Sequence, residues 1–184
     1  MKVRNLEITS DCEYLVKQLL DERLCLLPKC NLPIIERNQL MYKHLTYGID
    51  LYTKYGANIL QKIVKKLWLS DDCNYELFSS VVDELLLNEI SWIQICGLFA
   101  LIDRLSIFCK KSGRIYIAKI AAENLIVYIE KNLRIMEFLE KNGGWVNILD
   151  NQVVYEDIEE FKKIILKDGL KIIVLSLLCL WRYW

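Results

Sequence analysis

Apolar residues cover every side of any helix drawn through residues 93–102, where Gln94 is the single polar side chain. A helix without a polar face belongs in the middle of a bundle. Ser91 lies three residues before Gln94, which is the spacing of a capping box. We therefore predict a central helix over about 91–109 that begins at Ser91. Gly97 keeps one stripe of this helix thin, so that another helix or a ligand can approach its backbone closely.

The segments on either side of this helix show the spacing of amphipathic helices. With two prolines, seven glycines and no clear alternation of polar and apolar positions, the chain is predicted to be all-α. Gly56 is expected to break or bend the second helix, and the glycines after Asn142 are expected to end a later one in the left-handed conformation. The other predicted helices cover about 10–27, 39–55, 59–69, 81–88, 115–132, a stretch ending at 142, a short stretch from 145, and 157–166.

Charge and cysteine content exclude several classes of function. The net charge is zero and the pI is near 6.6, so the chain has no basic field to hold nucleic acid. The seven cysteines are odd in number and contain no CxxC pair, which indicates reduced thiols rather than a disulfide framework. The first fifteen residues lack the apolar core of a signal peptide, and we expect none.

The sequence carries no motif of an enzyme. It contains no glycine-rich nucleotide loop, no GxSxG and no HExxH. The single histidine, His44, is expected to be structural, and the paired carboxylates at 71–72 and 159–160 are expected at the surface. We therefore predict a protein that is not an enzyme and that has no cofactor or metal site.

Three stretches together carry a resemblance to a known family. VVDELLLNEISWIQICGLFALI (81–102) resembles homology region one of the B-cell lymphoma 2 family of apoptosis regulators, and EFLEKNGGWVNIL (137–149) resembles homology region two. LTYGIDLY (45–52) is similar to homology region three, with Ile49 in place of the usual small residue. The first helix fits a weak homology region four. The regions follow one another in the family's order and at similar spacing.

The resemblance implies a bundle of seven to eight helices around the central helix, with a groove on its surface. Such a groove accepts an amphipathic partner helix through apolar residues at i, i+3 or i+4, and i+7. The NGGW turn of region two, a structural motif, comprises Asn142, Gly143, Gly144 and Trp145. By the same resemblance, the groove would be formed by Tyr52, Leu60, Ile63, Val81, Glu84, Leu85, Ser91, Trp92, Gln94, Cys96, Gly97 and Leu101.

Region one departs from the family pattern at the start of the central helix. The family typically has Asn-Trp-Gly-Arg where this chain has Ser91-Trp92-Ile93-Gln94. In relatives the arginine pairs with an aspartate of the bound partner helix. A neutral hydrogen bond from Gln94 is worth about 0.5–1.5 kcal/mol, against about 1.5–3 kcal/mol for a charge-assisted one. We therefore expect a narrowed or altered set of partners.

The function implied is inhibition of apoptosis by sequestering the region-three helices of pro-apoptotic family members, which prevents permeabilisation of the mitochondrial outer membrane. Two alternatives stay open: a closed-groove inhibitor of immune signalling, and a pore-forming, death-promoting member. The short link between the first two helices and a residue bias typical of A/T-rich genomes favour a viral, poxvirus-type homologue. A homodimer that exchanges the first helix also stays open.

The chain is expected to divide into a helical domain over 1–166 and an apolar tail over 167–184. Ten uncharged residues span about 15 Å as a helix, half of a hydrocarbon core of about 30 Å. Flanking basic and tryptophan side chains extend the reach, and the resemblance implies a mitochondrial anchor. The alternative is a helix that folds onto the domain. We expect the protein in the host cytoplasm and at the mitochondrial outer membrane, with a membrane-facing tail formed by Lys171, Ile172, Ile173, Val174, Leu175, Leu177, Leu178, Leu180 and Trp181.

Overall fold

The structure, a computed structural model, describes residues 2–25, 36–69, 73–86, 90–152 and 163. These residues form helices and no strands, which confirms the predicted all-α bundle. The helices are α1 (Lys2–Leu24), α2 (Glu36–Leu69), α3 (Tyr75–Asp83), α4 (Trp92–Ser112), α5 (Ile115–Lys131), α6 (Leu133–Lys141) and α7 (Gly144–Gln152). The predicted tail over 167–184 and most of the predicted helix over 157–166 lie outside the described residues.

Helix α4 is the core of the bundle and packs against α1, α2 and α5. Every residue from Trp92 to Asp103 is buried. The predicted capping box is confirmed: the Gln94 backbone N–H donates to Ser91 Oγ at 3.4 Å, and the Ser91 N–H donates to Gln94 Oε1 at 3.1 Å. The helix continues to Ser112, beyond the predicted 109, because Gly113 at φ 73° supplies the left-handed residue that ends it.

Helix α4 is also the one described helix that is long and apolar enough to cross a membrane. Its most apolar 18-residue window has a mean hydropathy of 1.6, and 83% of that window is buried within the bundle. Surrounding helices therefore cover the surface that a lipid would have to contact.

Helix α2 runs without interruption over 34 residues, so the predicted break at Gly56 is wrong. A glycine inside a helix costs about 1 kcal/mol relative to alanine. The turns on both sides of Gly56 bury apolar side chains, among them Tyr52 and Leu60, and this burial offsets the cost.

Two predicted helix starts are also corrected. Helix α1 begins at Lys2 rather than near Ser10, and Ile8, one turn before Cys12, continues its buried stripe beyond the predicted start. Helix α3 begins after Asn74, whose side chain accepts a hydrogen bond from the Leu77 N–H at 2.9 Å, and it ends before most of the predicted segment 81–88.

The NGGW turn separates α6 from α7 as predicted. The Asn142 side chain caps α6 by donating to the Phe138 carbonyl at 2.7 Å, and Gly143 has the left-handed φ of 81°. A Cβ on Gly143 would lie 2.3 Å from Asn147 Nδ2. The turn inserts Trp145 into the core, where it is fully buried.

Candidate partner-helix site

The residues that the resemblance assigns to the groove come together, but they lie inside a closed bundle. Helix α2 contributes three of them, α3 and the turn after it three, and the first half of α4 the remainder. They are covered in this structure, and their role in binding a partner helix stays a prediction. Glu84 and Ser91 are partly exposed. The apolar members of the set are at most 3% exposed: Tyr52, Leu60, Ile63, Val81, Leu85, Trp92, Cys96 and Leu101.

Helices α2 and α4 approach one another most closely where regions three and one meet. A Cβ on Gly48 would lie 2.3 Å from Cys96 Sγ, and a Cβ on Gly97 would lie 2.7 Å from the Tyr52 ring. Both contacts need a glycine on one of the two helices. The close approach that Gly97 permits is thus made by the chain's own region-three helix.

Gln94 is committed to the start of α4. The residue is 2% exposed, and its side-chain oxygen accepts the Ser91 N–H in the capping box. In this closed state its oxygen serves the local backbone, so it does not present a surface polar group to a partner.

Three polar contacts hold α3 and the turn after it against the rest of the bundle. Lys66 on α2 contacts both carboxylate oxygens of Glu84, at 2.6 and 2.9 Å, and both side chains are at least one-third exposed. The Tyr128 hydroxyl on α5 donates to Asp83. Arg134 on α6 donates to the Leu86 carbonyl at 3.3 Å, so α3 is tied to three different helices.

The contact between Tyr128 and Asp83 predicts a pH dependence. Burial, and next the hydrogen bond to Asp83, raise the pKa of Tyr128 above its ordinary value near 10. The unfolded chain then ionises first, so the stability that Tyr128 contributes is complete below pH 10 and is lost above it. Relative to Tyr128→Phe, the wild-type free energy of unfolding should fall by about 1 kcal/mol between pH 10 and pH 11 in urea titrations. If the difference in free energy of unfolding between wild type and Tyr128→Phe stays constant over that range, the pKa of Tyr128 is not raised in the folded protein.

A buried ion pair joins α1 to α4, and the sequence analysis missed it. Arg23 Nε contacts Asp103 Oδ1, and the Asp103 side chain is only 6% exposed. Beside it, the Tyr42 hydroxyl donates to Glu22 at 2.6 Å; burial and this hydrogen bond raise the pKa of Tyr42. The sequence did contain a signal for a buried charge. Asp103 is a single acid directly after the apolar run 93–102, in a helix that has no exposed face at that point.

The described residues offer no other chemistry of a reactive site. No group of three or more metal-ligating side chains is found within them. Their five cysteines form no disulfide, and all but Cys25 are buried. In this geometry the apolar residues assigned to the groove are covered.

Comparison with known proteins assigns the family. The sequence profile of the apoptosis regulator proteins of the Bcl-2 family matches residues 48–145, which is more than half of the 184 residues. The chain belongs to the Bcl-2 family. The match runs from Gly48 in region three to Trp145 in the NGGW turn. It therefore covers all of region one, region three from residue 48, and region two as far as residue 145. The chain is therefore a regulator of apoptosis, and membership of this family implies interaction with other Bcl-2 family proteins.

The fold agrees with this assignment. A crystal structure of chicken BOK superimposes with a TM-score of 0.65 at 19% sequence identity, over 79% of this chain and 97% of that chain. At this identity the match establishes a shared fold. No curated protein sequence matches the chain significantly.

Proposed function

We propose that this Bcl-2 family member inhibits apoptosis by holding region-three helices of pro-apoptotic relatives in a site that opens between α3 and the second half of α2. We call the contact between α3, with the turn after it, and the second half of α2 the seam. The observation that carries the proposal is the composition of this seam. Leu60 and Ile63 on α2 and Val81 and Leu85 in and after α3 belong to one apolar cluster. Among the residues that the structure describes, one exposed ion pair bridges the two sides.

The chemistry of the seam suits an amphipathic helix. Its α2 side presents Leu60, Ile63 and Leu67, spaced by three and four residues along one face. An incoming helix with apolar residues at the same spacing could replace the contacts that α3 makes there. The partner's apolar face would thus cover the side chains that opening exposes.

Breaking the ion pair between Lys66 and Glu84, at the outer edge of the seam, adds little to the free energy needed to open the seam. Exposed pairs of this kind contribute about 0.2–1 kcal/mol. The larger cost is the apolar surface uncovered, which the partner would cover again. The apparent affinity is reduced by the fraction of molecules that are open, so partner binding should report directly on the stability of the closed seam.

Calorimetric titration of the full-length protein with a panel of region-three peptides tests the proposal. We expect submicromolar binding to some peptides. Glu84→Gln, which weakens the bridge, should increase that affinity by up to about fivefold, the equivalent of 1 kcal/mol. Glu76→Gln is the matched control, because it makes the same chemical change at an exposed position of α3 and should leave the affinity unchanged.

A folded protein that binds no peptide would contradict sequestration. That outcome would favour a second candidate, a closed-groove inhibitor of innate immune signalling that acts through its outer surface. The observation in favour of this candidate is the burial of every apolar residue assigned to the groove. A helical far-ultraviolet spectrum of the same sample distinguishes absence of binding from loss of fold.

The proposal includes two further expectations from the sequence. One is a viral origin, supported by the short first link and the residue bias. The other is action at the mitochondrial outer membrane, supported by the apolar segment after residue 167. Fractionation of cells that express the full chain, compared with a chain ending at 166, tests the second: the full chain should sediment with mitochondria more completely.

A further inference from the structure

A second surface feature lies where α2 and α4 run next to each other, and it shares Leu60 with the seam between α2 and α3. It is an open pocket of about 270 Å³. Each helix contributes four residues at the spacing of a single helix face, so the pocket is a short groove between the two helices. Its lining comprises Ala57, Leu60, Gln61 and Val64 from α2, and Arg104, Ile107, Phe108 and Lys111 from α4.

The charge of this pocket is entirely positive. Arg104 and Lys111 line it, and no lining residue is acidic. Both side chains are exposed, and among the described residues neither forms an ion pair or a hydrogen bond. They are seven residues apart, about 10 Å along the helix, and thus stand at the two ends of an apolar floor.

Two exposed aromatic rings and the half-buried ring of Trp68 continue the pocket toward the end of the bundle. Phe108 is 44% exposed and meets the Trp68 ring edge-on at 5.2 Å. The Arg114 guanidinium lies 5.3 Å from the Trp68 ring and 5.9 Å from the ring of Tyr116, which is 49% exposed. Leu69, at the end of α2, is 64% exposed. We call Trp68, Phe108, Arg114 and Tyr116, together with the pocket, the basic aromatic patch.

We infer that the basic aromatic patch is a binding surface for anionic phospholipid. Tryptophan and tyrosine rings favour the level of lipid headgroups, where their polar and apolar parts are both accommodated. Basic side chains near an anionic leaflet are attracted to the acidic headgroups. In the patch, Arg104 and Lys111 would hold headgroup phosphates, and Phe108 would lie against the first segment of an acyl chain.

The dimensions and charge distribution favour a lipid surface over other anions. A volume of about 270 Å³ is at the lower limit for a ligand pocket, so it suits part of an amphiphile rather than an enclosed molecule. A site for nucleic acid would need a field of many cations, whereas this chain has zero net charge and only local positive groups. The inference depends neither on opening of the α2–α3 seam nor on the tail.

The first arm of the test locates the site. Soluble short-chain phosphatidylserine, phosphatidylcholine and inorganic phosphate are titrated separately into the isotope-labelled full-length protein. We expect phosphatidylserine to shift the Trp68 indole and the backbone amides around Phe108, with much smaller shifts from the other two. Equal shifts with phosphate would identify a free-anion site, and shifts confined to other parts of the bundle would overturn the inference.

The second arm measures affinity for membranes. Binding of the full chain to phosphatidylcholine vesicles with about one-third phosphatidylserine should fall about 25-fold in Arg104→Gln/Lys111→Gln at low salt, at about fivefold per basic side chain. Lys17→Gln/Lys141→Gln is the matched control, because it removes the same charge from exposed positions on α1 and α6 and should change binding less than about threefold. Equal losses in the two double variants would show that only net charge matters and would reject the patch. Both variants have to retain the wild-type helical spectrum.

Discussion

Replacement of Trp145 by alanine is expected to lower the free energy of unfolding by about 3–5 kcal/mol. The indole is fully buried, lies edge-on against Phe99 with ring centres 5.7 Å apart, and donates from Nε1 to the Ile8 carbonyl at 2.9 Å. Its removal leaves a cavity where α7, α4 and α1 meet and takes away the buried hydrogen bond that ties α7 to α1. Urea unfolding followed by circular dichroism measures the change.

Two further variants make this prediction specific. Trp145→Phe retains a ring but loses the hydrogen bond to Ile8, and it should cost less than alanine, with about 1 kcal/mol assigned to the bond. Leu133→Ala removes a large apolar side chain that is 74% exposed and should change stability by less than about 0.5 kcal/mol. A Trp145→Ala protein as stable as Leu133→Ala would show that the NGGW turn does not anchor α7 in the core.

Arg23→Met is expected to destabilise the protein by about 3 kcal/mol, because it leaves the Asp103 carboxylate buried on α4 without its partner. The double variant Arg23→Met/Asp103→Leu removes both charges and should recover most of this loss. A double-mutant cycle by urea unfolding measures the coupling directly.

The exposed pair between Lys66 and Glu84 provides the comparison. The same substitution there, Lys66→Met, should cost less than about 1 kcal/mol, because water already solvates much of both side chains. If Arg23→Met and Lys66→Met cost the same, or if Asp103→Leu brings no recovery, the pair between Arg23 and Asp103 does not determine how α1 is held against α4.

Features with strong local signals were predictable from the sequence. Ser91 and Gln94 fix the start of α4 through contacts that span four residues, and the left-handed turn at Gly143 needs only a glycine. The order of the three homology regions likewise identified the family. In each case the chemistry that decides the structure lies within a short stretch of chain.

Features set by tertiary packing were not predictable in the same way. Gly56 is a poor helix former, but burial on both sides keeps α2 intact. The apolar spacing of Leu60, Val81 and Leu85 is the same for a groove wall as for a core, so the sequence could not determine whether the site is covered. Asp103 needed its partner Arg23, eighty residues away in the chain, before its burial could be explained.

The capping role of Gln94 limits how this chain could change its choice of partners. In the family, the same position is usually an arginine that meets the partner's aspartate. Here an arginine would remove the oxygen that accepts the Ser91 N–H, and it would place a guanidinium at a site that is only 2% exposed. Loss of a capping contact costs about 1 kcal/mol. A single substitution therefore cannot restore charge-based recognition without weakening the first turn of the core helix, although the bond from the backbone N–H of residue 94 to Ser91 Oγ would remain.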